Sequence, residues 1–380
     1  MWEIDRSLWG SEDELDQILT EIRSRANEFE EQRFISQDII DGLKKIGVYR
    51  AFVPKKFGGL EVSPIDFLLL IEEIAKSDGS TGWVASFGMN PAYLAALPEH
   101  TAQQIWKDSP DIVFAGGIFP ATPSSEENGL YTVNGRWKFA SGCMSADYLG
   151  VGIKPSNDEK LPRMAVLRPG QVKIEKTWDV HGMAGTGSFD LVVENQHVAH
   201  DWTFVRGGMP TIKSPFFTYP SLALAAQVLS VNQLGLAREA LNIIRKVGSR
   251  NKTVTGAPSI GDREYAQIDI AKAEAKVLAA RAFFYNATHE LWTHILKTGE
   301  SDDNLTNAVR LATTNVAREC ASAIQTVYRI LGMAGIYRDQ TMSRIFRDSQ
   351  VITQHAFMGE FTYQNAGRMF FGSNPFPGYL

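Results

Sequence analysis

The sequence contains few cysteines, no basic block and no long apolar run. Its 380 residues include only two cysteines, Cys143 and Cys320, which lie far apart and form no metal-binding spacing, so we predict two packed, reduced thiols. A formal net charge of -5 argues against a nucleic-acid partner, which requires a basic face. There is no run of about 18 apolar residues and no basic-then-apolar leader, which predicts a cytoplasmic protein without a membrane partner.

Sequence patterns for two common cofactors are also missing. No GxGxxG sequence opens a βαβ unit, so we expect no bound nicotinamide. The histidines His181, His197 and His200 are not spaced to place ligands on one face, so we expect no metal site. Reducing equivalents for any redox reaction would therefore have to come from a separate protein.

Helical and strand patterns divide the chain into three parts, in keeping with a length too great for one ordinary core. Apolar residues recur at three-and-four spacing in residues 11–107, which predicts helices. Between residues 111 and 205, short alternating runs bounded by turn residues predict a compact β-barrel or sandwich. From Ser221 the helical period returns and predicts a four-helix bundle, with helices over 222–247, 262–296, 304–331 and 341–370. We therefore predict domains at residues 1–110, 111–215 and 216–380.

This order of elements, together with three local motifs, resembles the acyl-CoA dehydrogenase family. The motifs are FGGL at 57–60, YTVNGRWKFASG at 131–142 and the Arg347-Asp348 pair near the C-terminus. The resemblance implies a mainly α fold with an N-terminal helical domain, a central β-barrel domain and a C-terminal four-helix bundle.

Within that family, further motifs resemble the reduced-flavin-dependent monooxygenases, which are the oxygenase components of two-component systems. These motifs are STGWV at 80–84, FASGC at 139–143, Trp178 followed by GMAGTGS at 182–188, and Arg347-Asp348 with His355 and Gly367-Arg368. The resemblance implies reduced FAD or FMN from an NAD(P)H-dependent flavin reductase, O₂ as co-substrate and a flavin C4a-(hydro)peroxide. It also implies hydroxylation or epoxidation of a small phenol- or indole-like ring by a homo-oligomer, expected to be a tetramer.

The sequence lacks the carboxylate that dehydrogenase chemistry needs. An acyl-CoA dehydrogenase removes a proton with a carboxylate base, which must lie within hydrogen-bond reach. The family positions correspond here to Ala356 and to residues 222–226, and neither holds a carboxylate. Only Glu360, one helical turn beyond Ala356, could replace it. The alternatives are an acyl-CoA dehydrogenase, a nitro- or amine-oxidising flavoenzyme, or a non-catalytic scaffold of this fold.

The resemblance also assigns candidate catalytic and substrate-pocket residues. Ser141 corresponds to a hydroxyl near flavin N5, and His355 is the candidate acid or base, with a packed core histidine as the alternative. Asn90 stands where related enzymes often carry a substrate-facing histidine, and Gly117 replaces a serine of the related strand. Trp83 is expected to line the same pocket, although packing in the core is the plainer role for any tryptophan.

A second group of residues is expected to bind the flavin. The resemblance implies contacts from Ser141, Trp137, Thr186, Ser188, Arg250, Gly332 and Gly335. For Arg250 the implied partner is the flavin phosphate across a subunit boundary, and for the two glycines it is the flavin of a neighbouring subunit. Each also has a plain structural role, as a turn residue, a solvated arginine or a helix stop.

Overall fold

The N-terminal part of the chain is helical, as the apolar spacing predicts. The computed structural model describes residues 2–155, 162–249 and 258–380. The first helices are α1 Glu12–Gln32, α2 Gln37–Lys45, α3 Pro64–Ser77, α4 Gly79–Ala85, α5 Pro91–Leu94 and α6 Glu99–Trp106. Ser11 and Glu14 form a capping box that fixes the start of α1. The Asp78 side chain accepts the N–H of Thr81 and starts α4 directly after α3.

The central part forms two four-stranded sheets among the described residues, and not one closed barrel. The strands are β1 Phe114–Ser124, β2 Glu126–Glu127, β3 Leu130–Ala140, β4 Tyr148–Pro155, β5 Arg163–Leu167, β6 Lys173–Glu175, β7 Phe189–Ala199 and β8 Thr203–Val205. Their orders are β1-β4-β5-β8 and β2-β3-β7-β6. No described strand pairing joins the two sheets. Three of the four edge strands, β2, β6 and β8, are only two or three residues long. The described sheets are not closed, so the central part is two open sheets and a barrel is not confirmed.

Trp137 holds the two sheets together. Its buried indole N–H, on β3, donates to the carbonyl of Gly152 on β4 at 2.7 Å. Gly117 of β1 lies so close to β3 that an added Cβ would come within 2.9 Å of the Trp137 Cβ. A side chain at position 117 would therefore force the sheets apart.

The C-terminal part contains three long helices and a broken fourth. The helices are α7 Pro215–Thr218, α8 Ser221–Gly248, α9 Glu264–Thr298, α10 Asp303–Leu331, α11 Thr341–Ile352 and α12 Glu360–Phe370. The prediction of one helix over 341–370 was wrong, because α11 ends at Ile352 and a 3₁₀ turn, Ala356–Met358, precedes α12. The His355 backbone is extended, and its ring accepts the N–H of Phe357, so the side chain competes with the helix for that donor.

Burial accounts for both cysteines and for the apolar α8. Cys143 and Cys320 are free and buried, which confirms the prediction of packed thiols, and burial raises the pKa of Cys143 to about 12. The α8 helix packs against α3, where an added Cβ on Gly235 would lie 2.4 Å from the Glu72 carbonyl oxygen.

Across residues 2–155, 162–249 and 258–380, no helix has the length and apolar character needed to cross a membrane. The same residues contain no cluster of three or more metal-ligating side chains.

Candidate active site

A chain of hydrogen-bonded side chains joins the STGWV, FASGC and GMAGTGS motifs. Trp83 on α4 donates its indole N–H to the Ser141 hydroxyl at 3.2 Å. The Ser141 Oγ lies 2.6 Å from the Ser188 Oγ, which lies 2.7 Å from the Thr186 Oγ1. Thr186 in turn donates to the Met183 carbonyl at 2.8 Å. The structure therefore brings together four residues that the sequence predicts for the site: Trp83, Ser141, Thr186 and Ser188.

The direction of this chain is fixed by its two ends. A hydroxyl has one hydrogen to donate, and Thr186 uses its hydrogen on the Met183 carbonyl. Ser188 must then donate to Thr186, and Ser141 must donate to Ser188. The indole of Trp83 is a donor only, so it occupies an acceptor position on Ser141. Ser141 consequently has a free lone pair but no free hydrogen, and it can only accept from a group placed beside it.

The loop that carries Thr186 and Ser188 is anchored by Asp348. The Asp348 Oδ1 accepts the backbone N–H of Met183 at 2.5 Å, and Met183 adopts a left-handed conformation with φ 54°. Gly182 lies against α11, where an added Cβ would come within 2.4 Å of the Arg347 carbonyl oxygen. The N–H of Gly142 donates to the Thr186 carbonyl at 2.8 Å and ties this loop to the end of β3. The GMAGTGS and Arg-Asp motifs thus form one structural unit.

Asp348 is buried in a site that disfavours its charge. Burial and the nearby Asp78 raise the pKa of Asp348 to about 7, against the opposing effect of the Met183 N–H. Its Oδ2 has no hydrogen-bond partner among the described residues. Arg347 is engaged elsewhere, because it forms an ion pair with Glu30 and donates to the His181 carbonyl at 2.8 Å. The fold therefore favours the protonated form of Asp348 more than water does.

His355 lies beside Trp83 in an uncharged form. The two rings form an edge contact with centroids 5.8 Å apart. The His355 Nδ1 accepts the N–H of Phe357 at 3.3 Å. Burial, together with Arg206 and Arg310, lowers the pKa of His355 to about 4. At neutral pH the ring is neutral, and because Nδ1 is an acceptor the proton is on Nε2, which is therefore a hydrogen-bond donor.

Two arginines that the sequence analysis missed flank the ring next to His355. The Phe357 ring centroid lies 5.1 Å from that of His355. The guanidinium carbons of Arg310 and Arg206 lie 5.0 Å and 5.7 Å from the Phe357 centroid. One signal was available, because Arg310 falls on the buried face of α10 with Thr306, Thr313 and Ala317. A charged residue at core spacing within an amphipathic helix is unusual.

Other candidate residues lie apart from the hydroxyl chain. The Asn90 amide is buried and donates to the backbone carbonyl of Phe114. Trp137 and Gly117 form the contact between the sheets described above. Gly332 and Gly335 lie in the turn after α10, beside the exposed side chain of Met333. The Arg250 prediction lies outside the described residues.

Among the described residues of the site, no carboxylate takes the place of the missing base. Ala356, at the predicted base position, begins the 3₁₀ turn and is exposed. The Glu360 side chain is 83% exposed and lies 3.7 Å from Arg318, so it points to solvent. None of the described side chains that form the hydroxyl chain or its ring contacts is acidic.

Comparison with known proteins places this arrangement in a family. Two family models match the chain, the acyl-CoA dehydrogenase N-terminal domain over residues 15–104 and the C-terminal domain over residues 227–360. A protein named indole-3-acetate monooxygenase, from Pseudomonas putida, is 54% identical over 360 residues, which cover 94% of this chain and 92% of that protein. The oxygenase subunit HsaA of a flavin-dependent monooxygenase from Rhodococcus jostii is 25% identical and covers 90% of this chain and 93% of its own length.

The solved structure of 3-HSA hydroxylase from Rhodococcus has the same fold. It superposes with a TM-score of 0.89 at 24% sequence identity and covers 97% of this chain and 98% of its own. This likeness confirms the acyl-CoA dehydrogenase-like fold predicted from the sequence. The names of the two relatives confirm the predictions of a flavin cofactor and of monooxygenase activity. With a monooxygenase relative matching nearly its entire length, the chain belongs to the flavin-dependent monooxygenases of the acyl-CoA dehydrogenase fold.

Proposed function

We propose that this monooxygenase takes reduced flavin from an NAD(P)H-dependent reductase and oxygenates an aromatic acid of the indole-3-acetate type. The observation that carries the proposal is the acceptor-only hydroxyl of Ser141, next to the rings of Trp83 and His355. The name of the Pseudomonas putida relative supports the choice of indole-3-acetate as the first substrate to test.

The polarity of Ser141 fits a reduced flavin. Reduced flavin carries an N–H at position 5 and oxidised flavin does not, so only the reduced form matches a partner that accepts but cannot donate. When bound, reduced flavin supplies the electrons that activate O₂ for transfer of one oxygen atom. Ser141 would hold the ring, with Ser188 and Thr186 fixing its orientation. Contacts of Arg250, Gly332 and Gly335 with the flavin, all three across a subunit boundary, are part of the same proposal.

His355 acts in this proposal as a hydrogen-bond donor. Its proton is on Nε2 at neutral pH, so it can hold an oxygen atom of the reacting group but cannot take a proton there. The half-buried rings of Trp83 and Phe357 on either side give the site an apolar wall that limits water. We propose that Asn90 and Gly117 shape the substrate pocket indirectly, through the backbone of β1 and the contact between the sheets.

An ¹⁸O experiment tests the proposed function. The purified protein is supplied with chemically reduced FAD or FMN, ¹⁸O₂ and indole-3-acetate, and the product is analysed by mass spectrometry. We expect one ¹⁸O atom per product molecule without any reductase protein present, since the reductase supplies only reduced flavin. If an acyl-CoA instead reduces the bound flavin under anaerobic conditions, and no oxygen is incorporated into product in air, the protein would be identified as a dehydrogenase.

We also propose the assembly, domain limits and location expected from the sequence. Exposed apolar side chains on α9 and after α10 favour contacts between subunits, as in a homotetramer; they are Tyr265, Ile268, Leu278, Phe283, Met333 and Tyr337. Sedimentation velocity measures the mass of the assembly directly.

Domain limits near 110 and 215 are supported by the end of α6 at Trp106 and the start of α7 at Pro215, and limited proteolysis tests them. Cell fractionation tests the proposed cytoplasmic location.

A further inference from the structure

Arg310 is a buried arginine without a carboxylate partner. Its side chain lies on α10 and the residue is 3% exposed. Within the described ranges, no acidic group lies within ion-pair distance of it, and its Nε has no hydrogen-bond partner. Its hydrogen bond from Nη1 reaches the Leu222 carbonyl at a long 3.4 Å. An arginine stays protonated in proteins, so this position holds a charge that the fold leaves largely uncompensated.

Other arginines in the core show how unusual this is. Arg344, 6% exposed, lies 3.6 Å from the Asp78 carboxylate, and Arg281 pairs with Glu72 at 2.8 Å. Burial lowers the pKa of Arg310, and the partners that oppose this effect are tyrosines and not carboxylates. A buried charge is normally retained only where a partner or a ligand compensates for it.

A second arginine approaches the same ring. Arg206 donates to the Tyr93 hydroxyl at 3.1 Å, and it too has no carboxylate partner in the described part of the chain. Both guanidinium groups lie over Phe357, Arg310 at 5.0 Å and Arg206 at 5.7 Å from its centroid. Two like charges around one apolar ring repel each other at low dielectric, and one anion between them would remove that repulsion.

The two arginines lie next to the reaction site. Phe357 contacts His355, which contacts Trp83, and Trp83 donates to Ser141. If the planar ring of a substrate packs against Trp83 and His355, a short side chain on that ring can therefore extend toward Phe357. A guanidinium group matches a carboxylate through two parallel hydrogen bonds.

We propose that Arg310, assisted by Arg206, binds the carboxylate of an aromatic acid substrate and selects it over neutral aromatic compounds. This inference rests on the proposed function and adds the residues that set its substrate class. The substrate is then an arylacetate-type anion whose ring faces Ser141 and His355, and not a free indole or phenol. Its carboxylate compensates the charge that the fold leaves buried.

Paired ligands of the same shape test the proposal. Binding of indole-3-acetate and of its neutral isostere indole-3-acetamide is measured by calorimetry on the full-length protein with reduced flavin under anaerobic conditions. In Arg310→Gln we expect affinity for the acid to fall about ten- to hundred-fold, the range for a lost hydrogen bond to a charged group, and affinity for the amide to change less than about three-fold. Arg310→Lys should recover part of the affinity for the acid, and Arg206→Gln should show a smaller selective loss. Arg329→Gln, an exposed position on the same helix, should change neither ligand.

The outcomes separate this inference from the proposed function. Equal losses for acid and amide in Arg310→Gln, or equal affinity of both ligands for the unmodified protein, would overturn the carboxylate subsite. Turnover of both ligands with ¹⁸O₂ decides the other question, because oxygenation of the amide alongside equal affinities leaves the monooxygenase proposal intact. Absence of ¹⁸O in any product of the unmodified protein would overturn that proposal, whatever the binding data. Thermal unfolding of each variant identifies those that fail to fold, and Arg206→Gln then replaces Arg310→Gln in the comparison.

Discussion

The Ser141 and Ser188 hydroxyl oxygens lie 2.6 Å apart, and the hydrogen between them belongs to Ser141. That assignment follows from Thr186, whose own hydrogen is committed to the Met183 carbonyl. Ser188 therefore accepts the one hydrogen that Ser141 can donate. A freely rotating hydroxyl could accept from reduced flavin or donate to oxidised flavin, whereas the Ser141 hydroxyl can only accept and so favours reduced flavin.

Ser188→Ala should reduce the preference for reduced flavin. The Ser141 hydrogen loses its acceptor and becomes free to donate to oxidised flavin. We expect the ratio of Kd for oxidised flavin to Kd for reduced flavin to fall about ten-fold, the value of one net hydrogen bond. Anaerobic and aerobic titrations followed by fluorescence measure the two constants. Ser145→Ala, in the neighbouring turn, is the control, and an unchanged ratio in Ser188→Ala would contradict the assigned direction.

Asp348→Asn should alter the dependence of stability on pH. Burial and Asp78 raise the pKa of Asp348 from 3.8 to about 7. The folded state therefore binds more protons than the unfolded state between these values, and this carboxyl makes the free energy of unfolding fall as pH rises from 4 to 7. The full effect is at most about 4 kcal/mol, from about 1.36 kcal/mol per unit of pKa.

Urea unfolding at several pH values between 5 and 8 measures the effect. The asparagine oxygen can still accept the Met183 N–H, so we expect the variant to keep its fold and to gain stability relative to the unmodified protein as pH rises. His355 has the opposite sign, because its pKa is lowered to about 4 and protonation of the unfolded state favours unfolding as pH falls below 6.5. The difference between the two proteins at each pH isolates Asp348, and a constant difference would contradict the raised pKa.

Much of the site could be predicted from local motifs, because the turn residues within each motif determine where its side chains lie. Ser141, Thr186, Ser188 and Trp83 stand in motifs whose glycines set the turns, and the structure joins them. The break before His355 could not be predicted from periodicity, since it depends on one ring nitrogen that accepts a nearby backbone N–H. Periodicity does not indicate the strand β1, because its sequence, FAGGIFPATPS, has no alternation of apolar and polar residues, and only the resemblance placed Gly117 in a strand.

Partners far apart in sequence explain the rest. The amide of Asn90 and the indole of Trp137 donate to backbone carbonyls of β1 and β4, and a sequence does not reveal such partners. Arg206 and Arg310 meet only at Phe357, and nothing local in either segment indicates the other. A buried charge at helical core spacing, as at Arg310, was the one signal that the sequence offered.

His355→Gln and His355→Ala should differ in turnover. If His355 donates from Nε2, the glutamine amide can replace that donor in part, so we expect kcat within about ten-fold for Gln and about a hundred-fold lower for Ala. Its pKa of about 4 also implies that His355 causes no inflection in kcat between pH 6 and 8. Rates of substrate oxygenation across this range provide the check. An inflection near pH 6.5 that is lost in His355→Ala would show that His355 acts as a base.

Glu360→Gln should leave oxygenation unchanged. The side chain is 83% exposed and lies near Arg318, so the substitution removes only a weak surface ion pair and the free energy of unfolding should change by less than about 0.5 kcal/mol. Because none of the described side chains in the hydroxyl chain or its ring contacts is acidic, a dehydrogenase of this sequence would have to use Glu360 and would lose nearly all its activity in the variant. Steady-state rates with indole-3-acetate, and with an acyl-CoA under dehydrogenase assay conditions, distinguish the two cases. A loss of more than ten-fold in either reaction would bring Glu360 into the chemistry.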